Sequence, residues 1–392
     1  MKAQDNFSYC LMCFLVLILL SSCKQEPKWK TIVGESDGVT LINNPARPKF
    51  NENILKLEED LSIGVDEGDE NYMFSSPIDI DSDSKGNIYI LDYKELTVKK
   101  YDNKGVFKNK IAGQGQGPGE LEYPYSFCID LNDLIYILDF MEQRIEVFDS
   151  DGVYQDAIKL DVRAENIAVN PANELILNHD ETIFENEKTM KRISRIGRLQ
   201  VEKDLITDFF SLNKPGFKAI QRAEYRVETP YERFAVDSRG YVSVGTTNKY
   251  EISVYNAEGQ LTRKFARDFR PISLESEIMK KVMAQLSQST PGNQLEEYRQ
   301  LLKNYKIFEN ISADERDRIW IIMHQPPIEK LMPKDTLIDI FSSEGEYLNQ
   351  LRIAKKIERQ VIFKNGYAYA LILNEMGFPR AVRFKIIEKM DH

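Results

Sequence analysis

Apolar and polar residues alternate along most of this chain in short runs, and turns rich in Gly, Asn and Asp separate the runs. The pattern from residue 77 to residue 107 recurs without a gap from 124 to 154, at an offset of 47. Pro77 matches Pro124, Ile88-Tyr-Ile-Leu-Asp92 matches Ile135-Tyr-Ile-Leu-Asp139, Tyr101-Asp102 matches Phe148-Asp149, and Gly105 matches Gly152. Turn signals before the second and fourth runs of each unit divide it into four short strands. Weaker copies centre on Leu175-Ile-Leu177, Val242-Ser-Val244, Ile319-Trp-Ile-Ile322 and Tyr367-Ala-Tyr-Ala370. Four strands per period is the arithmetic of a propeller blade, and two clear plus four weaker units make six. The expected fold is all-β: a six-bladed β-propeller of four-stranded antiparallel blades over residues 51–392. The last unit ends at Ala381–Ile387, and a spare apolar strand, Ile54-Leu-Lys-Leu57, precedes the first. That spare strand can complete the last blade, closing the ring and removing an open edge.

A helical period replaces the strand rhythm only at residues 272–305. Ser273 suits a helix cap, Ile278, Val282 and Leu286 share one face, and Thr290-Pro-Gly292 breaks the run. Asn293 with Glu296 then resembles a capping box ahead of Leu295, Tyr298, Leu302 and Tyr305. The spacing predicts a helical hairpin inserted between blades four and five, lying over the face on which second strands end. Residues 199–231 carry no assignable strand pattern.

The amino terminus changes the picture of location. Cys10–Leu20 is an apolar run of 11 residues, too short for a membrane-spanning helix, which needs roughly 20. It reads as the core of a signal peptide over residues 1–22. Leu20, two serines and Cys23 follow the pattern of a bacterial lipobox, so Cys23 is the expected lipid attachment site. An ordinary cleaved signal and a short uncleaved anchor are the alternatives. Residues 23–50 are polar and read as a lipidated tether and arm. Of four cysteines only Cys128 then stays in the folded body, where its apolar neighbours predict a buried small hydrophobe and no disulfide is possible. The net charge of −10 argues against a nucleic-acid groove.

On the strength of the unit at 77–154, the phrase Glu70-Asn-Tyr-Met-Phe74 and the run Gly113-Gln-Gly-Gln-Gly-Pro-Gly-Glu-Leu121, the chain resembles the six-bladed β-propeller lipoproteins of Bacteroidetes with NHL-like repeats. The resemblance is strong over residues 70–154 and loose elsewhere. It implies fold and export, and it carries no single activity.

Candidate chemistry is sparse. The glycine run at 113–119 lacks the strand before it and the helix after it that a phosphate cradle needs, so it reads as an inter-blade turn. No nucleophile or metal motif stands out, and no catalytic residue or cofactor is expected. Aligning the repeats places Asp92, Asp139, His179, Thr246 and His324 near the exits of the second strands in five successive blades. There they either converge on the channel mouth as ligand-binding groups or satisfy turn amides. Tyr93, Phe140, Tyr123 and Tyr125 fall near the same rim and suit a stacking platform for sugars or peptides. The basic residues Lys188, Lys191, Arg192, Arg195 and Arg198 alternate along a predicted strand and read as a solvated face.

These observations lead to a lipid-anchored module in the cell envelope, expected at the outer membrane, that binds an envelope protein, a peptide or a carbohydrate. The second reading is a lactonase- or lyase-like enzyme with a divalent cation in the central channel. A third is a structural envelope protein with no small ligand. The fold distinguishes none of them, because propellers host many functions.

Overall fold

A computed structural model of the chain describes residues 29–186, 189–201, 205–214, 231–269, 306–325 and 335–389, with isolated positions at 280, 283, 284 and 287. The strands form six antiparallel blades. Blade one spans Pro77–Ile111, blade two Pro124–Lys159, blade three Arg163–Lys214, blade four Glu232–Arg267 and blade five Phe308–Ile353. Blade six takes three strands from Ile357–Glu388, and its outermost strand is β3 (Leu55–Ile63), which pairs antiparallel with Pro379–Glu388. The spare amino-terminal strand therefore closes the ring, as its apolar pattern implied. The inner strands of successive blades adjoin one another, and blade six meets blade one.

Side chains on successive strand positions face opposite sides, so each blade buries one set against each neighbour. The core accordingly divides into six clusters, one at each blade interface. Tyr89, Leu91 and Val98 of blade one meet Phe127, Ile135 and Ile137 of blade two. Ile90 and Tyr101, on the same strands as Leu91 and Val98, point the other way, toward Tyr369 and Leu371 of blade six. Cys128 lies in the interface of blades two and three, and Trp320 in that of blades five and six.

The turns between first and second strands repeat one device. Asp83, Asp130, Asn170, Asp237 and Asp314 each accept hydrogen bonds from the amides two and four residues on, at 2.8–3.0 Å. The fourth position of each turn has positive φ and is Gly86, Asp133, Asn173, Gly240 or Asp317. Adjacent blades latch through these turns: Ser84 N–H and Oγ donate to Asp133, and Ser238 N–H donates to Asp317.

Two expectations are revised. Residues 29–50, read as a tether, include an ordered hairpin, β1 (Ile32–Ser36) and β2 (Val39–Asn44). β2 pairs in parallel with Leu261–Arg267, the outermost strand of blade four, and extends that sheet to six strands. Polar composition concealed this, because a strand added at the perimeter buries little: of β1 and β2 only Ile42 and Asn44 are buried. The second concerns residues 199–231, where Leu205–Lys214 supplies the fourth strand of blade three. The helical hairpin expected at 272–305 lies outside the described residues, except that Lys280, Met283, Ala284 and Ser287 have helical conformation.

Candidate functional site

Inner strands line the ring axis, and one end of each begins beside the end of its second strand. At that end most blades carry a β-bulge. The register shifts between Pro77 and Asp79, Pro124 and Ser126, Ala164 and Asn166, Phe308 and Asn310, and Ile357 and Val361. A bulge re-aims the side chain it carries, and bulges are frequent beside functional sites.

The bulges and their neighbours build a charged mouth. Glu165 accepts from Arg192 at 3.0 Å, and Arg192 also pairs with Asp180. Glu309 takes the His324 Nδ1 and, at 2.7 Å, Lys306 Nζ. These partners outweigh burial and hold the Glu309 carboxyl down at about 2. Arg233 Nε donates to the Glu309 carbonyl at 3.1 Å, and its guanidinium stacks 4.1 Å above the Tyr231 ring.

Below the mouth, a polar belt crosses blades six, one, two and three. Gln360 Nε2 donates to Asp79 at 2.9 Å, Ser126 Oγ and Phe127 N–H donate to the other Asp79 oxygen at 3.2 and 3.1 Å, and Ser126 Oγ lies 2.9 Å from Asn166 Oδ1. Burial pushes the Asp79 carboxyl up to about 6, against the pull of these amides and of Arg359. Farther along the axis, a cavity of about 160 Å³ is lined by Asp81, Asn166, Ser312, Gln360 and Lys364 among apolar neighbours. Lys364 crosses its end to reach Asp81 Oδ1 at 2.7 Å and the Ile129 carbonyl at 2.9 Å.

The aromatics expected at the rim do come together. Tyr93 and Tyr123 meet edge to face at 5.0 Å, Tyr123 and Tyr125 stack at 6.4 Å, and Phe140 lies 5.8–6.0 Å from both Tyr123 and Tyr125. Tyr125 occupies the bulge of blade two and is 41% exposed, with Met141 exposed beside the cluster in sequence.

The polar residues expected at the channel mouth do not converge. Asp92 is fully buried and its carboxylate caps amides, accepting from Ser75 N–H at 2.7 Å and Ser76 N–H at 3.0 Å. Asp139 repeats this with Glu122 N–H at 2.7 Å and Tyr123 N–H at 3.2 Å. His179 is buried and its Nε2 lies 2.8 Å from Asp208, within blade three. Thr246 occupies the register position of Asp92, whereas in blade five that position is Met323 and His324 falls one residue later. His179 and His324 thus serve separate carboxylates on separate blades. Among the described residues, no three His, Cys, Asp or Glu side chains are placed to hold one metal ion.

Other sequence readings resolve plainly. The glycine run is an inter-blade turn, with Leu121 N–H donating to the Gly113 carbonyl and Glu120 capping Gly117 N–H at 2.9 Å. Arg192, Arg195 and Arg198 are ion-paired with Glu165, Glu181 and Glu174. Glu165 and Glu309 occupy bulges, which have no sequence motif of their own, and Arg233 lies on the unbulged inner strand of blade four; none of the three carries a signal in the repeat pattern.

The chain is a six-bladed β-propeller. The model of the DUF5128 family, described as a six-bladed β-propeller, matches residues 67–235. No curated protein matches the chain. Among solved structures it is similar to a member of the DUF4221 family from Bacteroides vulgatus, with 11% identity over 86% of this chain and 99% of that one and a TM-score of 0.53. A protein of Bacteroides fragilis described as exported is also 11% identical, over 89% and 99% of the two chains, with a TM-score of 0.51. Identity this low shows the fold alone.

Proposed function

We propose that this protein is an exported propeller, anchored by lipid at Cys23 in the outer membrane, that binds a peptide or carbohydrate partner on the face where its second strands end. The observation that carries the reading is the aromatic cluster of Tyr93, Tyr123, Tyr125 and Phe140, partly open to solvent beside a charged mouth. Aromatic faces gather flat apolar surface at little entropic cost, and the neighbouring Arg, Lys and Glu side chains offer directional hydrogen bonds. The leader and lipobox support the envelope location, and the exported description of the Bacteroides fragilis neighbour is in keeping with it.

The test is to probe arrayed glycans and peptides with the purified chain and with a Tyr125→Ala/Phe140→Ala variant. Binding by the parent chain that the variant loses, at equal thermal stability, supports this reading. Binding that survives the double substitution, or none at all, opposes it.

A further inference from the structure

The amino-terminal hairpin is tied to the ring and yet carries two strongly exposed apolar side chains. Trp29 Nε1 donates to the Arg47 carbonyl at 3.0 Å, and its ring packs against the cluster between blades four and five. Ile32 is 72% and Val33 63% exposed, on a strand exposed along its whole length at the outer edge of the six-stranded sheet. Lys49 Nζ, which pairs with Glu346 at 2.8 Å, lies 5.4 Å above the Trp29 ring and 6.0 Å from that of Phe50, which is itself exposed. Indole, aliphatic side chains and lysine at one perimeter make the combination that suits a membrane–water interface.

Chain length decides what this surface meets. Only five residues separate Cys23 from Trp29, and a fully extended chain reaches at most about 20 Å over six steps. With Trp29 fixed to the ring, a lipid on Cys23 brings the bilayer to the perimeter of blades four and five.

We propose that the perimeter formed by Trp29, Ile32, Val33 and Phe50 rests on the lipid surface, so that the propeller stands on its rim and neither end of its axis is covered by the membrane. In a six-membered ring, blades four and five lie opposite blades one and two. The aromatic cluster then sits on the side farthest from the bilayer, open to a partner. This inference rests on the lipid-anchor reading of Cys23.

The test uses the lipidated full chain in vesicles of phosphatidylethanolamine and phosphatidylglycerol doped with brominated phosphatidylcholine. The chain has two tryptophans, and Trp320 is buried between blades five and six, so contact quenching reports on Trp29. The expected result is loss of emission on bromination that disappears in Trp29→Phe and weakens in Ile32→Glu/Val33→Glu. Protein that pellets with vesicles and carries the lipid mass, but shows no Trp29-dependent quenching, keeps the anchor and overturns the surface. Protein without added mass that fails to pellet overturns the anchor and the surface with it. A dimer of the Cys23→Ser form, broken by Ile32→Glu/Val33→Glu, assigns the strand to a second copy of the chain and likewise overturns the proposal.

Discussion

Asn44, at the end of the amino-terminal hairpin, uses its side chain to join blade five to blade four. Its Oδ1 accepts from Tyr347 N–H at 2.9 Å, while its Nδ2 donates to the Gly345 carbonyl at 2.8 Å and to the Ala266 carbonyl at 2.9 Å. The chain then donates from Lys49 N–H to the Tyr347 carbonyl and from Phe50 N–H to the Leu348 carbonyl before entering blade six as β3. The amino-terminal arm is thus a strap along the outside of three successive blades. Asn44 is buried, so Asn44→Ala strands several polar groups and is expected to cost about 1–3 kcal/mol. Denaturant unfolding checks this, and a change within error of zero removes the strap's structural role.

Asp79 and Glu309, both near the axis, give opposite pH signatures. Burial raises the Asp79 carboxyl from 3.8 to about 6, so its contribution to stability is complete below its unfolded value and is lost as pH rises through about 6. That loss is at most about 3 kcal/mol, from about two pH units at 1.36 kcal/mol each. Glu309, held at about 2 by His324 and Lys306, contributes above its ordinary 4.5, and the contribution disappears as pH falls toward 2. Stability measured from pH 3 to 8 is therefore expected to decline less steeply between about 4 and 6 in Asp79→Asn than in the parent. Glu309→Gln is expected to flatten the acid limb instead. Parallel curves for parent and variants refute these assignments.

Cys128 sits in the interface of blades two and three, and burial pushes its thiol well above the ordinary range. A buried neutral thiol reacts only when the fold opens. Labelling with an aromatic disulfide is expected to follow the unfolding rate and to accelerate with denaturant. Labelling of native protein at the rate of a free thiol contradicts the packing.

Much of this architecture was legible because it repeats. The offset of 47 between blades one and two exposed the strand rhythm, and the spare strand at Ile54–Leu57 declared the ring closure. Tyr93, Tyr123, Tyr125 and Phe140 were legible as a rim group because two of them follow second strands and two flank Pro124, the start of an inner strand. At Asp92 and Asp139 the same alignment left two readings open, and the structure takes the one in which the carboxylates satisfy turn amides. The alignment located the strand exit correctly, but the choice between lining the mouth and capping amides depends on side-chain direction, which spacing does not encode. Glu309 and Glu165 stayed hidden for the converse reason, since a bulge shifts the register by one residue without a motif of its own. The hairpin at residues 32–44 does carry a local signal, the Asp37-Gly38 turn with positive φ at both positions; what the sequence does not show is its pairing with residues 261–267, far away in the chain.

Site-specific photocrosslinking in living cells tests whether the face bearing Tyr125 meets a partner. A photoreactive phenylalanine replaces Tyr125 in one strain and Leu131 in another. Leu131 is 69% exposed on a turn between first and second strands, at the opposite end of the axis. The expected result is one discrete mass adduct from position 125, absent from position 131 and lost when Phe140→Ala is added. Equal adducts from both positions, or none from position 125, contradict the proposed function.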